Sequence, residues 1–92
     1  MKARLHPNAL ADIKSIFGWI EEDSPEAARR VVERIFAGID RLAEFPEIGR
    51  IGRTAGTREW VIPRLPYIVV YELSTTSDEL LVHAVFHGAQ DR

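Results

Sequence analysis

The residues best suited to chemistry lie on or beside three apolar, strand-like segments in the second half of the chain. They are two guanidinium groups, a carboxylate and two imidazoles: Arg58, Glu59, Arg64, His83 and His87. Such groups could together supply a general base, a clamp for phosphate and a general acid. They equally suit a structural role, with the arginines as exposed strand-end charges and His87 ending a strand. We favour the structural role and predict no catalytic residue, keeping Arg58, Glu59, Arg64 and His87 as the alternative set.

No metal centre or cofactor is predicted. The chain has three histidines and no cysteine, so disulfides, thiolate chemistry and cysteine-bound zinc are excluded. His83 and His87 are expected to face the same side of one strand, where four residues separate them by ~13 Å. One metal ion cannot bridge that distance without other ligands.

A glycine-rich segment between residues 47 and 56 superficially resembles a phosphate-binding loop. It contains Gly49, Gly52 and Gly56 among arginines. A phosphate-binding loop normally leads from a strand into the N-terminus of a helix, whereas this segment follows a predicted helix and precedes a predicted strand. We therefore interpret it as a connecting loop.

Composition indicates one small domain over residues 1–92. Of the 92 residues 46% are hydrophobic, and 12 basic and 14 acidic side chains give a net charge of −2. Direct binding to nucleic acid is not expected, because proteins that contact many phosphates usually carry a basic surplus. No segment resembles a membrane span or a signal peptide, so we expect a cytoplasmic protein.

The elements that must position these groups are four strands and two helices. Alternating and β-branched residues predict strands at Lys2–His6, Thr57–Pro63, Tyr67–Leu73 and Glu79–His87. Proline-rich and polar turns separate the last three strands. The last three strands are expected to form an antiparallel sheet, which the first strand joins.

Two helices are predicted between the first strand and the other three. The first begins at Pro7, with Asn8 as its cap, and runs to about Glu22. The second begins after a Ser24 cap and runs to about Glu44. Their tight connection predicts an antiparallel hairpin whose apolar stripes cover one face of the sheet. The predicted fold class is therefore α+β, in the order β-α-α-β-β-β.

Several side chains have no evident place in the core. Trp19 lies ~120° from the centre of the apolar face of the first helix, and either packs beside the second helix or contacts a partner. Three arginines form one flank of the second helix, which is either solvated or touches an acidic partner: Arg30, Arg34 and Arg41. If the helices cover one sheet face, the other exposes an apolar strip made of Val61, Ile68 and Val70.

Three local motifs follow the order of these elements. The first helix opens with Ala9-Leu10-Ala11-Asp12-Ile13, of the form A-x-x-D-L/I. The second ends in residues 42–50, of the form L-x-x-x-P-x-x-G-R, and the Tyr67–Tyr71 strand precedes a last strand ending at Val85–Gly88. In this order and spacing the chain resembles the RelE/ParE superfamily of toxins from type II toxin–antitoxin systems.

The resemblance implies a toxin that blocks growth of its own host cell and is held inactive by an antitoxin encoded beside it. The RelE-like branch cuts messenger RNA on the ribosome, whereas the ParE-like branch is associated with poisoning DNA gyrase and has no hydrolytic site. RelE-like enzymes carry an arginine inside the Tyr-x-x-x-Tyr strand and lysines, or a glutamate–arginine set, on the middle strands. Here Ile68 stands at that arginine's position, and Glu59 and Val61 stand where a lysine pair is expected.

These departures favour a ParE-like toxin that binds gyrase, so enzymatic activity is not expected. Two alternatives stay open: a ribosome-dependent endoribonuclease with an altered site, and a degenerate module that only binds its antitoxin in regulation. In each case the partner is the antitoxin, as a hetero-oligomer, and DNA is contacted only through it. The residues predicted to bind the antitoxin are Trp19, Arg30, Arg34, Arg41, Val61, Ile68 and Val70.

Overall fold

A five-stranded sheet carries a helical hairpin on one face in the computed structural model, which describes residues 1–89. The strands are β1 (Lys2–Leu5), β2 (Arg50–Ile51), β3 (Thr57–Val61), β4 (Tyr67–Ser74) and β5 (Glu79–His87), and the helices are α1 (Pro7–Glu21) and α2 (Pro25–Glu44). The strand order is β1-β5-β4-β3-β2, and all pairs are antiparallel except β1 with β5. The predicted α+β fold, with its hairpin against an antiparallel sheet, is confirmed.

The two faces of the sheet differ in what covers them. Tyr67, Val69 and Tyr71 of β4 point toward the hairpin, on what we call the helix face, and pack with Ile35 and Ile39 of α2. The alternate residues of β4 point to the opposite side, which we call the open face. The helix face therefore holds the core.

Each helix begins at a residue whose side chain caps it. The Oγ of Ser24 accepts a hydrogen bond from the backbone N–H of Ala27 at 3.2 Å, as predicted for α2. The cap of α1 is His6, not Asn8: its Nδ1 accepts from the backbone N–H of Asn8 at 3.0 Å. The prediction of Asn8 was wrong because Pro7 already occupies the first helical position, which leaves Asn8 inside the helix.

The interpretation of residues 47–56 as a loop was wrong for Arg50 and Ile51, which form β2. Arg50 pairs with Glu59 and Ile51 with Arg58, and the backbone N–H of Gly52 donates to the carbonyl of Thr57 at 2.8 Å. Two residues are too few to produce a readable alternation. The strand forms because β3 offers a free edge beside it.

A β-bulge changes which side chains of β5 share a face. Val70 pairs with Ala84 but Tyr71 pairs with Val82, so His83 is an extra residue in β5. The bulge places His83 on the open face with Glu72, whereas His87 pairs with Tyr67 on the helix face. The expectation that His83 and His87 face the same side was therefore wrong.

Candidate functional site

Arg58, the first of the four candidate catalytic residues, has a structural role. It pairs with Tyr71 on the helix face, and its Nη1 donates to the carbonyl of Gly49 at 2.8 Å and to that of Glu47 at 3.3 Å. The guanidinium is therefore used to hold the segment between α2 and β2.

Tyr71 holds the same segment from inside the core. Its hydroxyl donates to the carbonyl of Pro46 at 2.7 Å and accepts from the backbone N–H of Gly49 at 3.0 Å. Burial raises the pKa of this hydroxyl, and the bond from Gly49 and the charge of Arg58 partly oppose that rise. Tyr71 thus stays a neutral structural group.

Glu59 lies on the opposite side of β3 from Arg58. Its Oε2 accepts from the backbone N–H of Arg53 at 3.2 Å, and its Oε1 lies 3.8 Å from Nη2 of Arg50. Arg64 is exposed in the turn between β3 and β4, where its φ is 68°. Glu59 therefore points away from Arg58, and Arg64 lies beyond the end of β3.

His87 lies on the helix face at the end of β5. Its Nδ1 accepts from the backbone N–H of Ala89 at 3.0 Å, and its ring meets that of Tyr67 edge-on at 5.6 Å between centroids. Arg58, Glu59, Arg64 and His87 therefore do not converge on one point where a substrate could meet a base, an acid and a cation.

The structure instead brings His83 together with Glu72 and His6, an acid–base grouping that the sequence analysis did not predict. Nε2 of His83 lies 2.5 Å from Oε1 of Glu72, and the ring of His6 lies 6.3 Å from that of His83. They line an open-face cleft of about 420 Å³. The bulge at His83 brings these side chains together, and no pattern in the sequence predicts a bulge at this position. Within residues 1–89 no group of three or more His, Asp or Glu side chains is arranged to hold a metal ion.

Trp19, predicted to bind a partner, borders a second cleft. Its side chain is 69% exposed. The cleft, of about 340 Å³, lies between α1 and the ends of β4 and β5, and we call it the Trp19 cleft. Its other lining residues are Asp12, Ser15, Ile16, Tyr67, Val85, Phe86 and His87. A large indole beside a partly apolar cleft is the kind of anchor that protein interfaces use.

Asp12, which lines this cleft, accepts a hydrogen bond from the backbone of β5. Strand β1 pairs with β5 only as far as Leu5 with Val82, so the later residues of β5 lack a neighbouring strand there. Oδ2 of Asp12 accepts from the backbone N–H of Val85 at 3.0 Å. The aspartate of the A-x-x-D-L/I motif thus fastens α1 to the sheet.

The arginines of α2 lie on another surface. Arg34 and Arg41 line a shallow groove of about 250 Å³ with Trp60 and Pro63, and Arg30 is exposed on the same helix. The guanidinium of Arg41 also lies 5.2 Å from the centroid of the Phe45 ring, a cation–π distance.

The predicted apolar strip occupies the open face, but it is narrower than expected. Val61 is 54% exposed, whereas its partner Ile68 is only 9% exposed and Val70 is half-buried. The residues predicted to bind an antitoxin therefore border three separate surfaces: the Trp19 cleft, the arginine groove of α2 and the open face. No helix within residues 1–89 is both long and apolar enough to cross a membrane.

Comparison with known proteins places this chain in a family. The sequence model of one protein family, the ParE toxin of type II toxin–antitoxin system parDE, matches residues 3–92. Putative toxin Y4kP of Sinorhizobium fredii (strain NBRC 101917 / NGR234) is 46% identical over 74 residues, covering 80% of this chain and 77% of that protein. Toxin RelE2 of Caulobacter vibrioides is 42% identical over 77 residues, covering 84% and 81%.

Solved structures agree on the fold. A chain of the chromosomal ParDE toxin–antitoxin system from P. aeruginosa superposes with a TM-score of 0.81 at 20% identity, over 95% of both chains. A chain of the RelBE2 toxin–antitoxin complex from Mycobacterium tuberculosis gives 0.61 at 21% identity, over 94% of this chain and 95% of that one. The resemblance stated from the sequence is confirmed: this chain belongs to the ParE toxin family of type II toxin–antitoxin systems, within the RelE/ParE superfamily.

Proposed function

We propose that this toxin inhibits growth by binding DNA gyrase, as a ParE-like toxin, and performs no chemical step of its own. One observation carries the proposal: the four candidate catalytic groups are dispersed. Arg58 holds backbone carbonyls on the helix face, while Glu59 lies on the open face beside Arg50 and Arg53. Catalysis of phosphodiester cleavage needs base, acid and cation within reach of one phosphate, and these groups do not meet that requirement.

The same proposal assigns the Trp19 cleft to the antitoxin. An exposed indole, an apolar wall and a strand edge at which Asp12 accepts from Val85 together favour a chain segment with an apolar anchor. Arg34 and Arg41 are accessible to acidic residues of the same antitoxin. Residues of the antitoxin that contact both surfaces would hold the toxin in an inactive complex.

A ribosome-dependent endoribonuclease is the second candidate, and one observation favours it. Glu72 and His83 form a hydrogen-bonded carboxylate–imidazole pair with His6 nearby, an arrangement suited to proton transfer. Against it, the lining of this cleft includes neither lysine nor arginine among residues 1–89. Without a cation the charge that develops on a cleaving phosphate is left unstabilised.

The deciding experiment compares two readouts of toxin action. Supercoiling by purified gyrase with added toxin measures inhibition of the proposed target, and primer extension on ribosome-bound messenger RNA after induction in cells measures cleavage. We expect gyrase inhibition with intact message, and unchanged inhibition in His83→Ala, Glu59→Gln and His87→Ala. Nuclease chemistry would instead lose ~10²–10⁴-fold in rate in at least one of these variants.

Defined cuts in the message that disappear in His83→Ala, together with unaffected gyrase, would replace this proposal with the nuclease. Cuts lost in Glu59→Gln or His87→Ala would instead assign catalysis to the alternative set defined from the sequence, to which both residues belong. Each variant is first checked for an unchanged melting temperature, so that lost toxicity is not confused with unfolding.

A further inference from the structure

The outer edge of β2 has no neighbouring strand among residues 1–89. In an antiparallel ladder, successive residues alternate between facing the neighbouring strand and facing away. The N–H of Gly52 donates to the carbonyl of Thr57 in β3. The backbone N–H and C=O groups of Gly52, and of Arg50 two residues earlier, therefore point toward β3. Ile51 lies between them, and its N–H and C=O therefore point away from the sheet. The N–H groups of Gly49 and Arg53, two residues to either side, already donate to Tyr71 and Glu59. At this edge Ile51 is therefore the residue that offers both a donor and an acceptor to another strand.

The side chains along this edge alternate in chemistry. Ile51 is 77% exposed and shares the helix face with its partner Arg58. Arg50 lies on the open face, and its side chain is 76% exposed. A strand added outside β2 would place one side chain beside Ile51 and the next beside Arg50. An apolar residue fits the first position and an acidic residue fits the second.

The charge around β2 favours the same kind of partner, a segment that carries acidic residues. Between Gly49 and Pro66 the chain carries four arginines and one glutamate. Arg58 is hydrogen-bonded to backbone carbonyls and Arg64 lies in the turn after β3, so the charge beside this edge comes from the exposed residues Arg50 and Arg53. That glutamate, Glu59, has a side chain only 12% exposed and already accepts from the N–H of Arg53. An approaching segment therefore meets exposed positive charge, which attracts carboxylates and repels lysines.

We propose that the outer edge of β2 binds an extended segment of alternating acidic and apolar residues, supplied by the protein on which the toxin acts. The inference rests on the proposed function, in which the toxin acts by binding. The Trp19 cleft contains no residue of β2, and two strands separate β5 from β2 in the sheet. An antitoxin segment seated in that cleft leaves the β2 edge accessible, so the target has a surface of its own.

The test uses a fluorescent nine-residue peptide of alternating glutamate and valine, titrated into the purified toxin. A peptide with lysine in place of glutamate is the control for charge. We expect the glutamate peptide to bind at least about tenfold more tightly than the lysine peptide. Amide hydrogen exchange at Ile51 should slow on binding, because its N–H then donates to the added strand.

Two variants test separately whether binding depends on the backbone N–H of Ile51 and on the charge of Arg50. Ile51→Pro removes the outward N–H but none of the inward bonds of β2, and Ile51→Val keeps it. Arg50→Glu reverses the charge, and Arg29→Glu does the same on exposed α2 as its control. We expect Ile51→Pro and Arg50→Glu each to weaken binding by at least about tenfold, and Ile51→Val and Arg29→Glu to bind as the parent does.

The same variants distinguish this inference from the proposed function. Ile51→Pro and Arg50→Glu should lose growth inhibition and gyrase inhibition while still binding the cognate antitoxin with unchanged affinity. Equal binding of the two peptides, or full gyrase inhibition by both variants, would overturn the β2 surface and leave gyrase binding standing. Loss of antitoxin binding in both variants would assign this edge to the antitoxin instead and equally overturn the inference.

Discussion

The hydroxyl of Tyr71 and the backbone N–H of Gly49 are joined by a 3.0 Å hydrogen bond that spans 22 residues of sequence. The same hydroxyl donates to the carbonyl of Pro46. A Cβ at Gly49 would lie 2.4 Å from the Tyr71 oxygen, closer than real contacts allow. The proline and glycine of the L-x-x-x-P-x-x-G-R motif are thus the part of the chain that Tyr71 fixes, and this contact sets where β2 begins.

Removing that hydroxyl should destabilise the fold. Tyr71→Phe leaves the N–H of Gly49 and the carbonyl of Pro46 without their partner, so we expect the free energy of unfolding to fall by ~1–3 kcal/mol. Urea denaturation measures the loss. Tyr67→Phe removes a hydroxyl from the first residue of the same strand and should cost less. Equal costs for the two variants would contradict the role given to Tyr71.

Stability should also fall at alkaline pH. Burial raises the pKa of Tyr71 and of Tyr67 above their usual 10.0. In the unfolded chain both hydroxyls ionise at lower pH than in the folded protein, so the unfolded state binds fewer protons and unfolding becomes easier as pH rises. We expect the free energy of unfolding to decline above pH ~10 and to be level on this account below it. Tyr71→Phe should flatten the decline in a pH series of urea titrations.

The sequence predicts the parts of the fold that strong local patterns specify. Ser24 caps α2 as expected, because its hydroxyl can accept from an N–H of the first turn and the following proline suits the first helical position. Tyr67–Tyr71 forms a central strand because β-branched and aromatic residues fit a sheet covered on its helix face. Ile35 and Ile39 are buried at the helical spacing that predicted them.

What the sequence missed depends on tertiary pairing. Strand β2 has two residues and exists because β3 is beside it. The bulge at His83 changes the alternation of β5 halfway along, so the cluster with Glu72 could not be predicted from spacing. Arg58 and Glu59 are neighbours in sequence, yet the pleat directs them to opposite faces.

The register of α2 makes a quantitative prediction. Ile35 is fully buried against the sheet, so Ile35→Ala should lower the free energy of unfolding by ~2–5 kcal/mol. In a domain of ~5–15 kcal/mol total stability that loss could abolish toxicity by unfolding alone. Phe36→Ala, on the exposed side of the same turn, is the matched control and should cost much less. Thermal melting of the three proteins tests this, and an unchanged melting temperature for Ile35→Ala would contradict the register.

Trp19 should matter for binding rather than for folding. Because its side chain is largely exposed, Trp19→Ala should leave the melting temperature nearly unchanged. If the Trp19 cleft receives an antitoxin anchor, the variant should bind the cognate antitoxin with a Kd raised by at least about tenfold. Leu10→Ala, also exposed on α1 but outside the cleft, should bind normally. Calorimetric titration gives both values, and normal binding by Trp19→Ala would remove the cleft from the antitoxin interface.

Asp12 should act as a fastener between α1 and β5. Asp12→Ala leaves the N–H of Val85 without the carboxylate oxygen it now donates to at 3.0 Å, and we expect a loss of ~1–3 kcal/mol in the free energy of unfolding. Asp12→Asn keeps an acceptor oxygen of the same reach and should recover much of that loss. Amide hydrogen exchange adds a local test, because the N–H of Val85 should exchange faster in Asp12→Ala than in Asp12→Asn. Identical exchange in the two variants would show that the N–H of Val85 does not depend on this carboxylate.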